Sequence, residues 1–403
     1  MTTSTSTGKL SYMLFTLLSS LNIGGYLVLT SWLAVSATGD AQIVASLFLA
    51  SLVCGMFFSN VAGVYTRTTH IRATLVLANT VRLLGALFLA FNVYLDDNLY
   101  FSLYAVTLLN VLGNSFIMIA SSVSFQDIFP KEERPKRVAE VSFLRQVGIA
   151  SGTGLTGIVL AWTGSLSAAI FLAIVTLIQT PLMILFSPYK KTIPISNIVS
   201  TESKLSRWLS GFSYALANRD LAIAMVVLSA TFSVAQLTNV MVPVFVLSDL
   251  SSGANTYATL EMAWAIGGSL ALIAARRIRE ASNRLALMFM AITGLTMVVF
   301  SINRSIPFSF VIYFIMGGLF CIIRFISDSR IMIDADTEYV GRVRAANLLL
   351  TNSIGVLIFG LPWIVDTSSV STIYLVWGVV LFVLSATSVF LLNSSSHSAI
   401  GRS

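Results

Sequence analysis

Long apolar runs separated by short polar gaps dominate the chain. Runs of about 20 or more largely uncharged residues, the length that crosses hydrocarbon as a helix, recur about twelve times. They fall roughly at 10–36, 41–66, 72–95, 99–128, 138–162, 165–187, 220–248, 254–278, 283–302, 306–334, 341–365 and 370–392. The pattern predicts an all-α membrane protein of about twelve transmembrane helices, and an even number of crossings leaves both ends on one side.

The cations fall on alternate gaps. Those after the second, fourth, sixth, eighth and tenth spans hold Arg67 and Arg72; Lys131, Arg134, Lys136 and Arg137; Lys190, Lys191, Lys204, Arg207 and Arg219; Arg276, Arg277, Arg279 and Arg284; and Arg330, Arg342 and Arg344. The opposite gaps hold only Arg304. The positive-inside rule makes the basic gaps cytoplasmic, and with them both termini, which carry Lys9 and Arg402.

Composition agrees: 56% of residues are hydrophobic and only 10% charged, which excludes an ordinary soluble domain. The net charge of +7 borders the spans instead of forming one basic face, so the cations read as topology signals and anionic-lipid contacts, not as a nucleic-acid footprint. The first apolar run is too long for a signal-peptide core and is expected to stay as a span. Cys54 and Cys321 both fall inside spans, and His70 and His397 are far apart in sequence, so neither a disulfide framework nor a metal site is expected. No cofactor is implied.

The longest gap, 188–219, separates six spans from six more, giving a first half at 1–187 and a second at 220–403. Pro188 and Pro194 break helix in this linker, while Trp208, Leu209 and Phe212 offer a short interfacial segment. Equal halves joined by a cytoplasmic linker are the sequence form of a duplicated transporter, with substrate bound near the midplane. The basic loops GVYTRTTHIR and AARRIREASNR occupy the same place in their respective halves.

With this organisation the chain resembles the major facilitator superfamily over essentially its whole length. Gly63 fits the start of that family's loop motif after the second span; Arg67 stands where an Asp is expected and Thr68 where an Arg is expected, leaving Arg72 as the matched later cation. That departure puts the family's usual gate latch in doubt for the first half. In the fifth span Gly148, Gly152 and Gly157 resemble the antiporter motif of family exporters, with Thr153 in place of its Pro and Thr156 in place of one Gly. Small residues at this spacing also serve ordinary close helix packing.

The region of Gln126, Pro130, Arg134, Ala139 and Arg145, the Gly341-Arg342-Val343 step, Thr38-Gly39 and Arg82 resemble the branch that includes enterobactin-type siderophore exporters and macrolide efflux proteins. The resemblance implies export across a bacterial cytoplasmic membrane, with protons and a small-molecule or peptide substrate as partners besides membrane lipid. A monomer can hold the whole pathway.

Charges within spans are costly and mark a pathway or a pair. Arg82, Arg145, Glu261, Arg324 and Asp328 qualify, with Asp127 at a span end. Arg324 and Asp328 lie one helical turn apart and are expected to pair. Asp127 and Arg145 are placed to meet as a gate clasp. Glu261 lies about two turns from the outer end of the eighth span, with no basic residue near it in sequence. Desolvation disfavours the charged form of a carboxyl, which makes Glu261 the candidate for proton coupling; a glutamate snorkelling to the boundary is the alternative.

The resemblance assigns the substrate cavity to the first, fourth, seventh and tenth spans. Asn22 and Tyr26, Asn110 and Asn114, and Gln236 and Asn239 are polar residues at mid-span depth there. They describe a polar, largely uncharged cavity suited to a bulky amphipathic molecule; interhelical hydrogen bonding is the competing role for each. No phosphate loop, HExxH or triad pattern occurs. Proton-coupled export is thus the leading expectation, with an importer or facilitator of the same fold, and a membrane-embedded lipid-modifying enzyme, as alternatives.

Overall fold

The computed structural model describes residues 2–65, 71–130, 133–186, 212–275, 277–278, 282–336, 339–364 and 370–400. Its elements are α1 (Thr2–Thr38), α2 (Ala41–Tyr65), α3 (Ile71–Leu95), α4 (Leu99–Ile128), α5 (Arg134–Thr163), α6 (Ser165–Phe186), α7 (Arg219–Ser248), α8 (Ala254–Ala275), α9 (Asn283–Ile302), α10 (Ile306–Asp334), α11 (Val340–Gly360) and α12 (Val370–Ile400). A turn of 3-10 helix, Leu361–Trp363, closes α11. Among the described residues, twelve helices are long and apolar enough to cross a membrane.

Helix is the form hydrocarbon permits, because it satisfies every backbone donor and acceptor within the segment. The serine and threonine hydroxyls follow the same rule by turning back on their own helix: Thr16 donates to Tyr12 O at 2.9 Å, Thr30 to Tyr26 O at 2.7 Å and Thr231 to Val227 O at 2.7 Å. Phe57, Phe101, Trp162 and Leu357 stand exposed on the helix surfaces, as expected where lipid is the solvent.

Local signals set the ends. Asn218 caps α7 by accepting from the amides of Asp220 and Leu221, and Ser282 caps α9 by accepting from Leu285 N at 3.2 Å. Gly164, at φ 88°, makes the abrupt turn between α5 and α6, a conformation that favours glycine.

The chain divides into two compact units, Met1–Ile198 with Ser252–Met262, and Val199–Ser251 with Ala263–Ser403. The first takes in the opening of α8. Within it α1 packs on α5 and α6, α3 on α4 and α6, and α2 on α4. An aromatic cluster of Tyr12, Phe15, Phe125, Phe129 and Phe186 fills one end. In the second unit α9 packs on α10 and α12, and α7 on α10 and α11. Phe245, Phe300, Tyr313 and Tyr374 form its aromatic cluster. Of the expected linker, Pro188, Pro194, Trp208 and Leu209 lie outside the described residues, whereas Phe212 belongs to a helical stretch at 212–217.

Candidate functional site

The interior of the first unit holds a complete guanidinium. Arg82 on α3 is 1% exposed. Its Nε donates to Asn110 Oδ1 on α4 at 3.3 Å, and its Nη1 donates to Gln179 Oε1 on α6 at 3.2 Å. Both amides are oriented by their other ends: Asn110 Nδ2 donates to Val106 O, and Gln179 Nε2 to Leu18 O and Val175 O. Their carbonyl oxygens are thereby fixed toward the cation. The remaining nitrogen, Nη2, is buried with no hydrogen-bond partner, and Arg82 forms no ion pair among the described residues. Gly113 leaves room for the stem of Arg82: a Cβ there would lie 2.6 Å from Ala78 O and 3.0 Å from Arg82 Cδ.

Tyr26 is the neighbour of this group. Its hydroxyl lies beside Arg82, Asn110 and Thr176, without hydrogen-bond geometry to any of them. Tyr26 and Asn110 also line a cavity of about 190 Å³ bounded by α1, α2 and α4. Asn22, one turn earlier on α1, faces elsewhere: it is fully buried, and its Nδ2 donates to Thr176 Oγ1 at 2.6 Å on α6. Asn114 is half-buried on α4.

The fifth-span glycines are close crossing points. A Cβ on Gly148 would lie 2.5 Å from Leu17 O, and one on Gly152 would overlap the Leu21 backbone, so both press on α1. Gly157 faces Ala258 at the start of α8, and Gly154 faces Met262. This contact carries Tyr257 and Glu261 into the first unit. Tyr257 is wholly buried, stacks on Trp32 of α1 with ring centroids 6.2 Å apart, and turns its hydroxyl toward Ser31. Glu261, one turn on, is 5% exposed.

The candidate gate charges fall in several places. Arg67 and the rest of the loop at 66–70 lie outside the described residues. Arg72 donates to Ile184 O at 2.9 Å and ties α3 to the end of α6. Asp127 and Arg145 are both exposed, on α4 and α5. On the same two-helix connection Glu133 accepts from Lys9 Nζ at 3.1 Å and Arg137 Nε at 3.2 Å. Those hydrogen bonds, Lys9's first, hold its carboxyl below the ordinary glutamate range. Arg137 also meets Glu140 at 2.7 Å.

In the second unit Arg324 Nε and Asp328 Oδ2 stand 3.8 Å apart on α10, and Asp328 also faces Arg344 of α11 at 3.7 Å. Gln236 and Asn239 are half-buried, one turn apart on α7; the Gln236 Oε1 is buried without a hydrogen-bond partner. Nearby, Ser229 donates to Asn347 Oδ1 and lies 3.0 Å from the Thr351 hydroxyl, and Trp377 Nε1 donates to Ser233.

Sequence reasoning passed over Gln179, Trp32 and Tyr257. Gln179 was the recoverable one: it is an amide within an otherwise apolar run, and hydrocarbon demands a partner for it.

Comparison with known proteins gives the class. The family model described as Major Facilitator Superfamily matches residues 12–360. The chain therefore belongs to that superfamily and is a multi-pass membrane protein with its fold. A point mutant of the nucleoside transporter NupG superposes with a TM-score of 0.73 at 13% identity, covering 94% of this chain and 99% of that one. A POT family transporter in complex with 5-aminolevulinic acid gives 0.73 at 11% identity, covering 95% of each chain. Among curated protein sequences nothing matches.

Proposed function

We propose that this chain is a proton-coupled secondary transporter that exports a bulky amphipathic small molecule from the cytoplasm. A siderophore, a macrolide-like drug and a peptide antibiotic all fit that description. The membrane is the bacterial cytoplasmic membrane, with both termini inside. The observation that carries the reading is the glycine face of α5, where Gly148 and Gly152 meet α1 while Gly157 meets α8 beside the buried Glu261. In this reading α5 is a close-packed pivot, and protonation of Glu261 is coupled to movement around it. Protons arriving from outside bind Glu261, favour outward release of substrate by alternating access, and leave to the cytoplasm.

Energy must come from a gradient: one charge crossing about 100 mV supplies roughly 2.3 kcal/mol. The test is proton movement in proteoliposomes challenged with a panel of siderophores, macrolides and peptide antibiotics. Opposed fluxes of proton and compound are expected, and Glu261→Gln is expected to remove the pH dependence with folding intact. Compound movement without protons would replace antiport with facilitated transport, and co-directional fluxes would replace export with import.

A further inference from the structure

We propose that Arg82, with Tyr26 and Asn110, forms an oxyanion subsite that takes the carboxylate or phosphate of a ligand whose apolar body occupies the cavity between α1, α2 and α4. The inference rests on the transporter reading only in calling that ligand a substrate.

A buried guanidinium without a carboxylate is an expensive arrangement, since a buried charge is costly unless it is paired and fully hydrogen-bonded. Here two of its nitrogens meet neutral amide oxygens at 3.2–3.3 Å, while Nη2 meets nothing. The surroundings are built to keep it so. Gln179 and Asn110 are locked by their own backbone hydrogen bonds, and Gly113 leaves the space that the arginine stem fills. A guanidinium presents a planar fork matched to two oxygens of a carboxylate or phosphate, and the free Nη2 is the half of that fork left for a ligand.

The route to it is the cavity wall. Tyr26 and Asn110 line the cavity on one side and border Arg82 on the other, and the Tyr26 hydroxyl has no hydrogen bond to hold it in place. The subsite requires rotation of that one side chain, which would open the guanidinium to the cavity and leave a phenolic donor beside it. The rest of the lining includes Phe48 and Leu27 together with the hydroxyls of Thr30, Ser51 and Thr107. At about 190 Å³ the cavity accepts an aromatic ring, since an apolar cavity of roughly 150 Å³ holds benzene. An amphipathic anion, with its ring in the cavity and its charge on Arg82, satisfies both parts.

The test uses the purified full chain in detergent at constant ionic strength. Phenylacetate and phenyl phosphate are the charged probes, and phenylacetamide is the neutral isostere; thermal stabilisation is read against probe concentration. Saturable stabilisation by at least one charged probe, at concentrations at least tenfold below the amide's, is expected, and the stronger of the two identifies carboxylate or phosphate. Arg82→Gln should abolish that discrimination. Should Arg82→Gln fail to fold, Gln179→Glu keeps the arginine and provides an internal counter-ion, and it should weaken the anion response tenfold or more. Equal responses to amide and anion, no saturable response to either charged probe, or unchanged discrimination in Gln179→Glu would overturn the subsite. Binding is read without flux, so failure of export in liposomes and failure of this site are separate results.

Discussion

Arg82 in the first unit and Arg330 in the second are both arginines on long apolar helices, yet they are satisfied in different ways. Arg330 meets Asp334, one turn on along α10, at 2.7 Å and keeps 22% of its side chain exposed. Arg82 is sealed inside its unit and meets only amide oxygens, from residues far away in sequence. Neutral groups do not carry this contrast: Ser229, Asn347 and Thr351 close a cluster on themselves in the second unit, yet Gln236 Oε1 there is as unpartnered as the Tyr26 hydroxyl in the first. The difference lies in the charge: Arg330 has a carboxylate beside it and Arg82 has none among the described residues. A charge near a helix end can be neutralised cheaply by its own helix. One at depth without a counter-ion is retained against its cost, which points to a ligand that supplies the missing charge.

The sharpest way to break this contrast is to give the first unit the kind of pair the second has. Gln179→Glu places a carboxylate about where the Gln179 Oε1 now accepts from Arg82 at 3.2 Å. Besides the lost anion response, the melting midpoint of the first unit should rise by about 4 °C or more, on a scale where 1 kcal/mol moves the midpoint of a unit of about 200 residues by about 2–4 °C. A fall in midpoint would mean that the amide environment suits the cation better than a carboxylate does, and the comparison would lose its force.

A second break concerns how the first unit is closed. Gly152 lies so near the Leu21 backbone that Gly152→Leu has no flexible side chain to displace. Overpacking of this kind costs about 1–3 kcal/mol or more, well above the roughly 1 kcal/mol that glycine replacement returns in helix propensity. The variant should lose monodisperse yield and melt several degrees lower. Gly55→Ala, whose added Cβ would touch only Val111 Cγ1 at 3.5 Å, is the control and should be nearly silent.

The difference between the units also marks what the sequence discloses. Helix number and span positions were legible because hydrocarbon imposes length and apolarity on every crossing. The expected run at 306–334 and the helix Ile306–Asp334 coincide, whereas α5 begins at Arg134, ahead of the expected 138, because Pro135 suits a first turn. The pair Arg324–Asp328 was legible from its one-turn spacing. Partners of Arg82 were not, since Gln179 comes from another helix and no local spacing encodes that contact. Nor does the sequence show which way a mid-span amide points. Asn22 and Tyr26 sit one turn apart, yet the first is spent on α6 and the second lines the cavity.

Two smaller tests sharpen the contrast at the unit ends. Arg304 Nη2 lies 3.1 Å from Asp249 Oδ1 and donates to Ser371, with half of the arginine side chain exposed. With its arginine half exposed, such a pair is worth about 1 kcal/mol at most, so Arg304→Gln should move the melting midpoint by no more than about 4 °C. A larger shift would show that this end of the second unit depends on its charges as the interior of the first does.

The smallest effect is expected at Glu133, which clasps Lys9 and Arg137 in the first unit. Hydrogen bonds from those two cations lower its proton affinity in the folded chain. A carboxyl whose folded pKa lies below its unfolded value contributes stability at pH above the ordinary glutamate value of about 4.3, and loses it as the pH falls through the lower, folded one. The melting midpoint of the wild type should therefore decline faster than that of Glu133→Gln only below about pH 4.3, and the two should run parallel from pH 6 to 8. Glu133 is solvated, so screening shrinks the difference, and 0.5 M salt should erase most of it. A gap between the two proteins that opened instead near neutral pH could not come from this carboxyl, and would move the first unit's pH response inward, toward Glu261.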